Sequence, residues 1–119
     1  MHIKDNNTRR VGKAWEGFTA DYLKDKGYII LYMNYRTRFS EIDIIAQDRD
    51  ELIFIEVKYR QSMNSGDPLE AVNYRKQRRI RNAALSFLRD NNYDIDNTAI
   101  RFDVIGILGN EVRHIKNAF

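Results

Sequence analysis

Two acids and a lysine stand out by type and spacing: Asp43 in the run Glu41-Ile42-Asp43-Ile44-Ile45-Ala46, and Glu56 and Lys58 in Phe54-Ile55-Glu56-Val57-Lys58-Tyr59-Arg60. Acids set in apolar segments lose hydration on folding, which is tolerated only where something offsets the cost. The polar stretch Asp48-Arg49-Asp50-Glu51 separates the two runs and reads as a turn. Centring that turn on Arg49 and Asp50 fixes the register of a hairpin. Ile42, Ile44 and Ala46 then oppose Val57, Ile55 and Ile53 on an all-apolar face. The other face sets Asp43 opposite Glu56, Glu41 opposite Lys58 and Ile45 opposite Phe54.

Directly opposed carboxylates on neighbouring strands lie about 5 Å apart. At an effective dielectric near 20 they repel by roughly 3 kcal/mol. Lys58 and Arg60 on the same strand face can offset part of this, protonation of one acid is a second way out, and a divalent cation is a third. Mg²⁺ asks for about six oxygens near 2.1 Å, a demand that Asp43, Glu56, the Val57 backbone carbonyl and waters can meet. The strand period of two places Lys58 on the side of Glu56, so that an ammonium stands beside water activated by the ion. Those parts suit phosphodiester hydrolysis. They do not suit acyl transfer, for which the sequence offers no nucleophile and base in tandem.

The elements that must position these groups follow from periodicity. Residues 1–10 are polar and read as a loose arm. Val11, Ala14, Trp15, Phe18 and Tyr22 recur at helical spacing up to about Lys26, with Gly27 as the stop. Strands are expected over Tyr28–Met33, Glu41–Gln47 and Leu52–Arg60. A second helix opens at Asp67-Pro68-Leu69-Glu70, where Asp67 caps and proline takes the first helical position, and runs to about Arg89. Ile100–Leu108 and Glu111–Ile115 complete the strands, joined by Gly109-Asn110. The order α-β-β-β-α-β-β implies a mixed α/β sheet of about five strands flanked by helices. Both faces of the hairpin carry apolar residues, so both need a covering helix.

Each helix carries a polar residue where an apolar one is expected. Glu16 falls on the shoulder of the first helix's apolar arc, where it either pairs with Lys13 or Lys24 at the surface or seeks a partner inside. Lys76 sits within the seam Leu69, Val72, Ile80, Ala83 and Phe87 of the second helix. It either snorkels outward or aims at the sheet's charged end. Arg75, Arg78, Arg79, Arg81 and Arg89, with Tyr74 nearby, form a ridge that is either a solvated face or a phosphate-binding surface. Trp15, Phe18 and Tyr22 are expected in the core. His2 and His114 lack companions at ligand spacing and receive no role.

Composition narrows the classes. The 119 residues suffice for one domain, taken as 11–119 behind the arm. The absence of cysteine removes disulfide scaffolds, thiolate metal sites and cysteine nucleophiles. No apolar run is long enough to span a bilayer, and Met1–Arg10 lacks the apolar stretch of a secretory signal, so a cytoplasmic location without membrane contact is expected. The net charge of +3 is mild, but residues 41–70 hold eight acids against three bases, whereas residues 71–90 hold six bases against one acid. An acidic segment between basic ones reads as a cation site flanked by phosphate-binding surfaces, or as a set of solvated faces.

The two strand runs, with Glu16, Ala20, Tyr22-Leu23, Gly27-Tyr28, Asn34, Arg36, Lys76 and Arg101-Phe102-Asp103-Val104, resemble the signature of the YraN-type bacterial protein family. That family is similar to archaeal Holliday-junction resolvases and to the PD-(D/E)xK nucleases. Ser40 and Trp15 stand where the family pattern has glycine, and Ile42 where it has proline. The resemblance implies a restriction-endonuclease-like fold and a site using Mg²⁺ or Mn²⁺, with Asp43 and Glu56 as ligands, Lys58 as catalytic lysine and Glu16 as accessory acid. It implies DNA as partner, branched DNA in particular, and a homodimer, since two strand cuts need two sites. No organic cofactor is expected. Arg36, Arg60, Lys76, Arg75 and Arg79 are the candidate DNA contacts, and Glu41 is a secondary acid. Two other readings use the same residues: a nucleic-acid-binding module without chemistry, and a structural domain in which Asp43, Glu56 and Lys58 form an ion cluster at a strand end.

Overall fold

The computed structural model describes residues 3–60 and 72–119, with side chains from residue 14 onward. Among these residues the elements are α1 (Ile3–Asp25), β1 (Ile29–Arg36), β2 (Glu41–Asp48), β3 (Glu51–Arg60), α2 (Tyr74–Asp90), β4 (Ile100–Leu108) and β5 (Glu111–Ile115). The strands form one mixed sheet in sequence order, with β3 and β4 parallel and the other neighbours antiparallel. Parallel neighbours need a long crossover. The segment carrying α2 supplies it.

Local chemistry fixes most boundaries. Gly27, at φ 93°, ends α1 in a left-handed turn. Its amide donates to Lys24 O at 2.9 Å and the Tyr28 amide to Leu23 O at 3.0 Å, the paired bonds of a glycine-terminated helix. Leu23 and Tyr28 then pack in the same cluster. At the other end α1 starts at Ile3, ahead of the Val11 expected from periodicity, so the stretch read as a loose arm is helical from that residue. Residues 3–10 carry no apolar stripe from which periodicity could read a helix.

The second helix begins at Tyr74, capped by Asn73, whose side chain accepts from the Lys76 amide at 2.9 Å. Val72 and Asn73 are not helical, which corrects the helix expected to run unbroken from Asp67. Asp67-Pro68-Leu69-Glu70 itself lies outside the described residues. β1 likewise extends past Met33 to Arg36, passing through Asn34 at φ 56°.

Both faces of the sheet are covered. On one, Ala20 and Leu23 of α1 pack with Ile44, Ala46, Ile53, Ile55, Ile105 and Ile107. On the other, Ile80, Ala83, Ala84, Phe87 and Leu88 of α2 pack with Ile42, Ile45, Phe54, Phe102 and Val104. The β2–β3 register is as expected from Ile44↔Ile55 down to Asp48↔Glu51.

Ile42 is the exception. It belongs with Ile45 on the α2 face and not with Ile44 on the α1 face, so the alternation of β2 slips by one residue at Asp43. β1 shows the same slip opposite. Tyr32 and Tyr35, three residues apart, both meet Phe87 of α2 edge-on, and left-handed Asn34 lies between them. The expected pairings of Ile42 with Val57, Asp43 with Glu56 and Glu41 with Lys58 are therefore replaced. The β2–β3 ladder ends at Ile44↔Ile55, and beyond it Glu41 pairs with Arg36 of β1.

Candidate active site

Where the ladder ends, β2 and β3 fork, and the fork holds the two acids. The Val57 amide, left without a β2 carbonyl, donates to Asp43 Oδ2 at 2.8 Å. A strand residue sends its N–H and C=O to the same edge, so the Val57 carbonyl also faces this opening. Glu56 stands on the α2 face, between Ile55 and Val57 of the α1 face, and is buried. Asp43 sits at the slip in alternation and so meets neighbours from both faces. It shares a hydrogen bond with the Glu56 carboxyl, and the charge of Glu16 on α1 acts on it as well.

Burial and the adjacent Glu56 charge push the Asp43 carboxyl up to about 8, with a smaller contribution from Glu16, while the Val57 amide pulls the other way. The raised value favours the protonated Asp43 carboxyl, the form that can donate to Glu56. Glu56 has two cationic partners. Lys58 Nζ and Lys76 Nζ each lie 3.2 Å from its Oε2. Lys58 arrives by the strand period and Lys76 from α2, so of the two readings open for Lys76 the inward one holds. Among the described residues neither Asp43 nor Glu56 is paired with an arginine.

Glu16 is half-buried on α1. Its neighbour Trp15 stacks on Tyr59 of β3, with ring centroids 4.6 Å apart and planes at 16°. This contact anchors α1 beside the fork. Among the described residues no three His, Asp or Glu side chains form a ready-made metal cage. The donor set is instead two touching carboxyls with a backbone carbonyl beside them, hard oxygens of the kind that Mg²⁺ or Mn²⁺ takes together with waters. The residues fit such an ion.

Comparison with known proteins agrees with the whole-chain pattern. Residues 15–107 match the uncharacterised protein family UPF0102. The chain belongs to this family. It is 46% identical over 113 residues to a UPF0102 protein of Lachnoclostridium phytofermentans, covering 95% of each chain. It is 45% identical over 115 residues to one of Alkaliphilus oremlandii, covering 93% of this chain and 98% of the relative. A UPF0102 protein of Persephonella marina is 42% identical over 108 residues, 91% of each chain.

In this UPF0102 chain the other candidates fall outside the fork. Glu41 pairs with exposed Arg36 at 2.9 Å, a surface contact worth little in stability. Arg60 Nη1 turns back to the Tyr59 carbonyl at 2.9 Å. Arg75 and Arg79 are exposed and, with Arg78 and Asn82, line a shallow cleft of about 220 Å³ on α2. Arg81 leaves the expected ridge to lie over the rings of Phe102 and Phe119, at 5.8 and 5.4 Å. Phe18, expected in the core, is 47% exposed and edge-on to Trp15.

A second polar cluster escaped sequence reasoning. Asp103 is fully buried and accepts from Arg101 Nε at 2.8 Å, from the Asn117 amide at 2.9 Å and pairs with His114 Nε2 at 2.7 Å. Arg101 also reaches the Tyr28 hydroxyl at 2.9 Å and Glu51 at 3.0 Å. Burial pushes the Asp103 carboxyl up, but His114, Arg101 and the Asn117 amide together hold it below the usual carboxylate range. The signal available beforehand was Arg101 and Asp103 alternating on one face of an otherwise apolar strand.

Proposed function

We propose that this UPF0102 protein is a nuclease that hydrolyses phosphodiester bonds in DNA with Mg²⁺ or Mn²⁺. The observation that carries this reading is the contact between the Asp43 and Glu56 carboxyls at the fork. Two acids held together at that cost to ionisation form a site poised to exchange a proton for a cation. When bound, the ion would neutralise a phosphoryl oxygen and lower the pKa of water.

The chain's own groups supply the rest. Asp43 and Glu56 give charged oxygens, and the Val57 amide orients Asp43. Lys58, 3.2 Å from Glu56, holds a positive charge where negative charge builds during attack. Glu16 adds negative charge near Asp43 from α1. The exposed arginines of α2, with Tyr74 at 70% exposure beside them, suit a phosphate backbone. Cutting both strands requires two such sites, hence two copies of the chain.

The test is incubation of linear, flapped and four-way-junction DNA with the purified protein, with and without Mn²⁺. Cutting should require the ion and fall at least about 100-fold in Lys58→Ala. Cutting that persists unchanged in Glu56→Ala overturns the reading. One observation favours a silent DNA-binding module instead: the two ammoniums already neutralise Glu56 without an ion. That alternative predicts salt-dependent DNA binding with no thermal response to Mn²⁺.

A further inference from the structure

Lys58 and Lys76 meet one oxygen of one buried carboxylate. Together they bring two positive charges, the charge of a divalent cation, to the group that would bind one. An ion that arrived with both lysines in place would meet two ammoniums at its own ligand. Withdrawal of one of them would relieve that repulsion.

The two are not equivalent. Lys58 lies on β3 two residues from Glu56, so the strand holds it there, and its side chain is 23% exposed. Lys76 reaches across from α2, and its side chain is 34% exposed. Arg75, beside it in sequence, and Arg79, one turn further along α2, line the exposed arginine cleft where phosphates would lie. A flexible four-carbon stem can swing its ammonium from carboxylate to phosphate without moving the helix.

We infer that Lys76 is a positioning residue that guards Glu56: it occupies the carboxylate in the free protein, and a DNA phosphate draws it away so that the cation binds. DNA and cation would then favour each other's binding, as linkage requires. The inference rests on the proposed cation site and deepens it. In the free protein the ion competes with an ammonium. In the complex that ammonium contributes instead to holding the backbone.

The test reads Mn²⁺ binding from the paramagnetic resonance of the free ion, at about pH 8.5 so that proton competition is small. Without DNA, Lys76→Met should bind Mn²⁺ about tenfold more tightly than the wild type, as expected from removing one charge beside a divalent ion. Lys76→Arg should remain within about threefold of the wild type. A short duplex should tighten Mn²⁺ binding in the wild type and leave Lys76→Met nearly unchanged. Lys76→Gln, which keeps a polar stem without the charge, should repeat the Met result should that variant fold poorly.

Failure can be assigned. Binding lost in Asp43→Asn but equal or weaker in both neutral Lys76 variants overturns the guarding role alone. If neither the wild type nor any Lys76 variant binds Mn²⁺, the cation site falls and the guarding role with it. A merely structural role for Lys76 would lower stability without tightening metal binding.

Discussion

Asp43 governs how the site responds to pH. Its folded value is pushed up to about 8, against 3.8 for the ordinary side chain. Between about pH 4 and about pH 8 the folded chain keeps a proton that the unfolded chain releases. Stability therefore falls as pH rises through that window, by at most about 1.4 kcal/mol for each pH step, and levels off above it. Asp43→Asn cannot ionise and should flatten the decline. Melting temperatures of the metal-free protein at about pH 5, 7 and 9 check this, and parallel profiles for the two chains would refute it. Mn²⁺ should reverse the trend in the wild type alone, stabilising it more at pH 9 than at pH 5, because the ion takes the deprotonated pair.

At the scale of elements, the site exists because two strands break their alternation together. Asn34 at φ 56° faces the slip at Asp43 across the β1–β2 pair. Left-handed backbone costs a β-branched residue roughly 1–2 kcal/mol and glycine almost nothing. Asn34→Gly should leave stability and Mn²⁺ response close to the wild type, whereas Asn34→Val should lose about 1–2 kcal/mol by urea denaturation and weaken the ion's effect as Asp43 is displaced.

That slip also marks the limit of legibility in the sequence. Periodicity locates each of the five strands among the described residues, and the polar turn at Arg49-Asp50 gives the register from Ile44↔Ile55 inward, because side-chain pattern and turn length agree there. A strict period of two cannot announce its own interruption, so it puts Ile42 on the α1 face and Asp43 squarely opposite Glu56, whereas Ile42 packs on the α2 face and Asp43 accepts from the Val57 amide. The capping signal at Asp67-Pro68 points to an earlier start of α2 than Tyr74, where Asn73 supplies an equivalent cap beside the packed seam. Glu16 and Lys76 were legible as misplaced polar residues. What they touch depends on how helices seat on the sheet, which spacing along one chain does not encode.

Across the whole molecule, two buried polar centres, one at the fork with Glu56 on the α2 face and one around Asp103 on the α1 face, tilt the pH response in opposite directions. Phe102 and Val104 point to the α2 face, so Asp103 between them points to the α1 face, away from Glu56. Its carboxyl is held below the ordinary value. The stability it contributes is present above the unfolded value near 3.8 and is lost as pH falls through the folded one. Asp103 thus drives the acid side of the profile, and Asp43 the decline toward pH 8. Asp103→Asn leaves the Arg101 guanidinium, 11% exposed, without its closest anion and should cost about 3–5 kcal/mol at pH 7 in urea denaturation. Local cancellation of the Asp103 charge by the Arg101 guanidinium means that little of it reaches Asp43 through the sheet. The double variant Asp43→Asn/Asp103→Asn should therefore equal the sum of the singles within about 0.5 kcal/mol. A larger coupling would mean that the two faces communicate, and that the Asp103 cluster belongs to the chemistry at the fork rather than to the scaffold behind it.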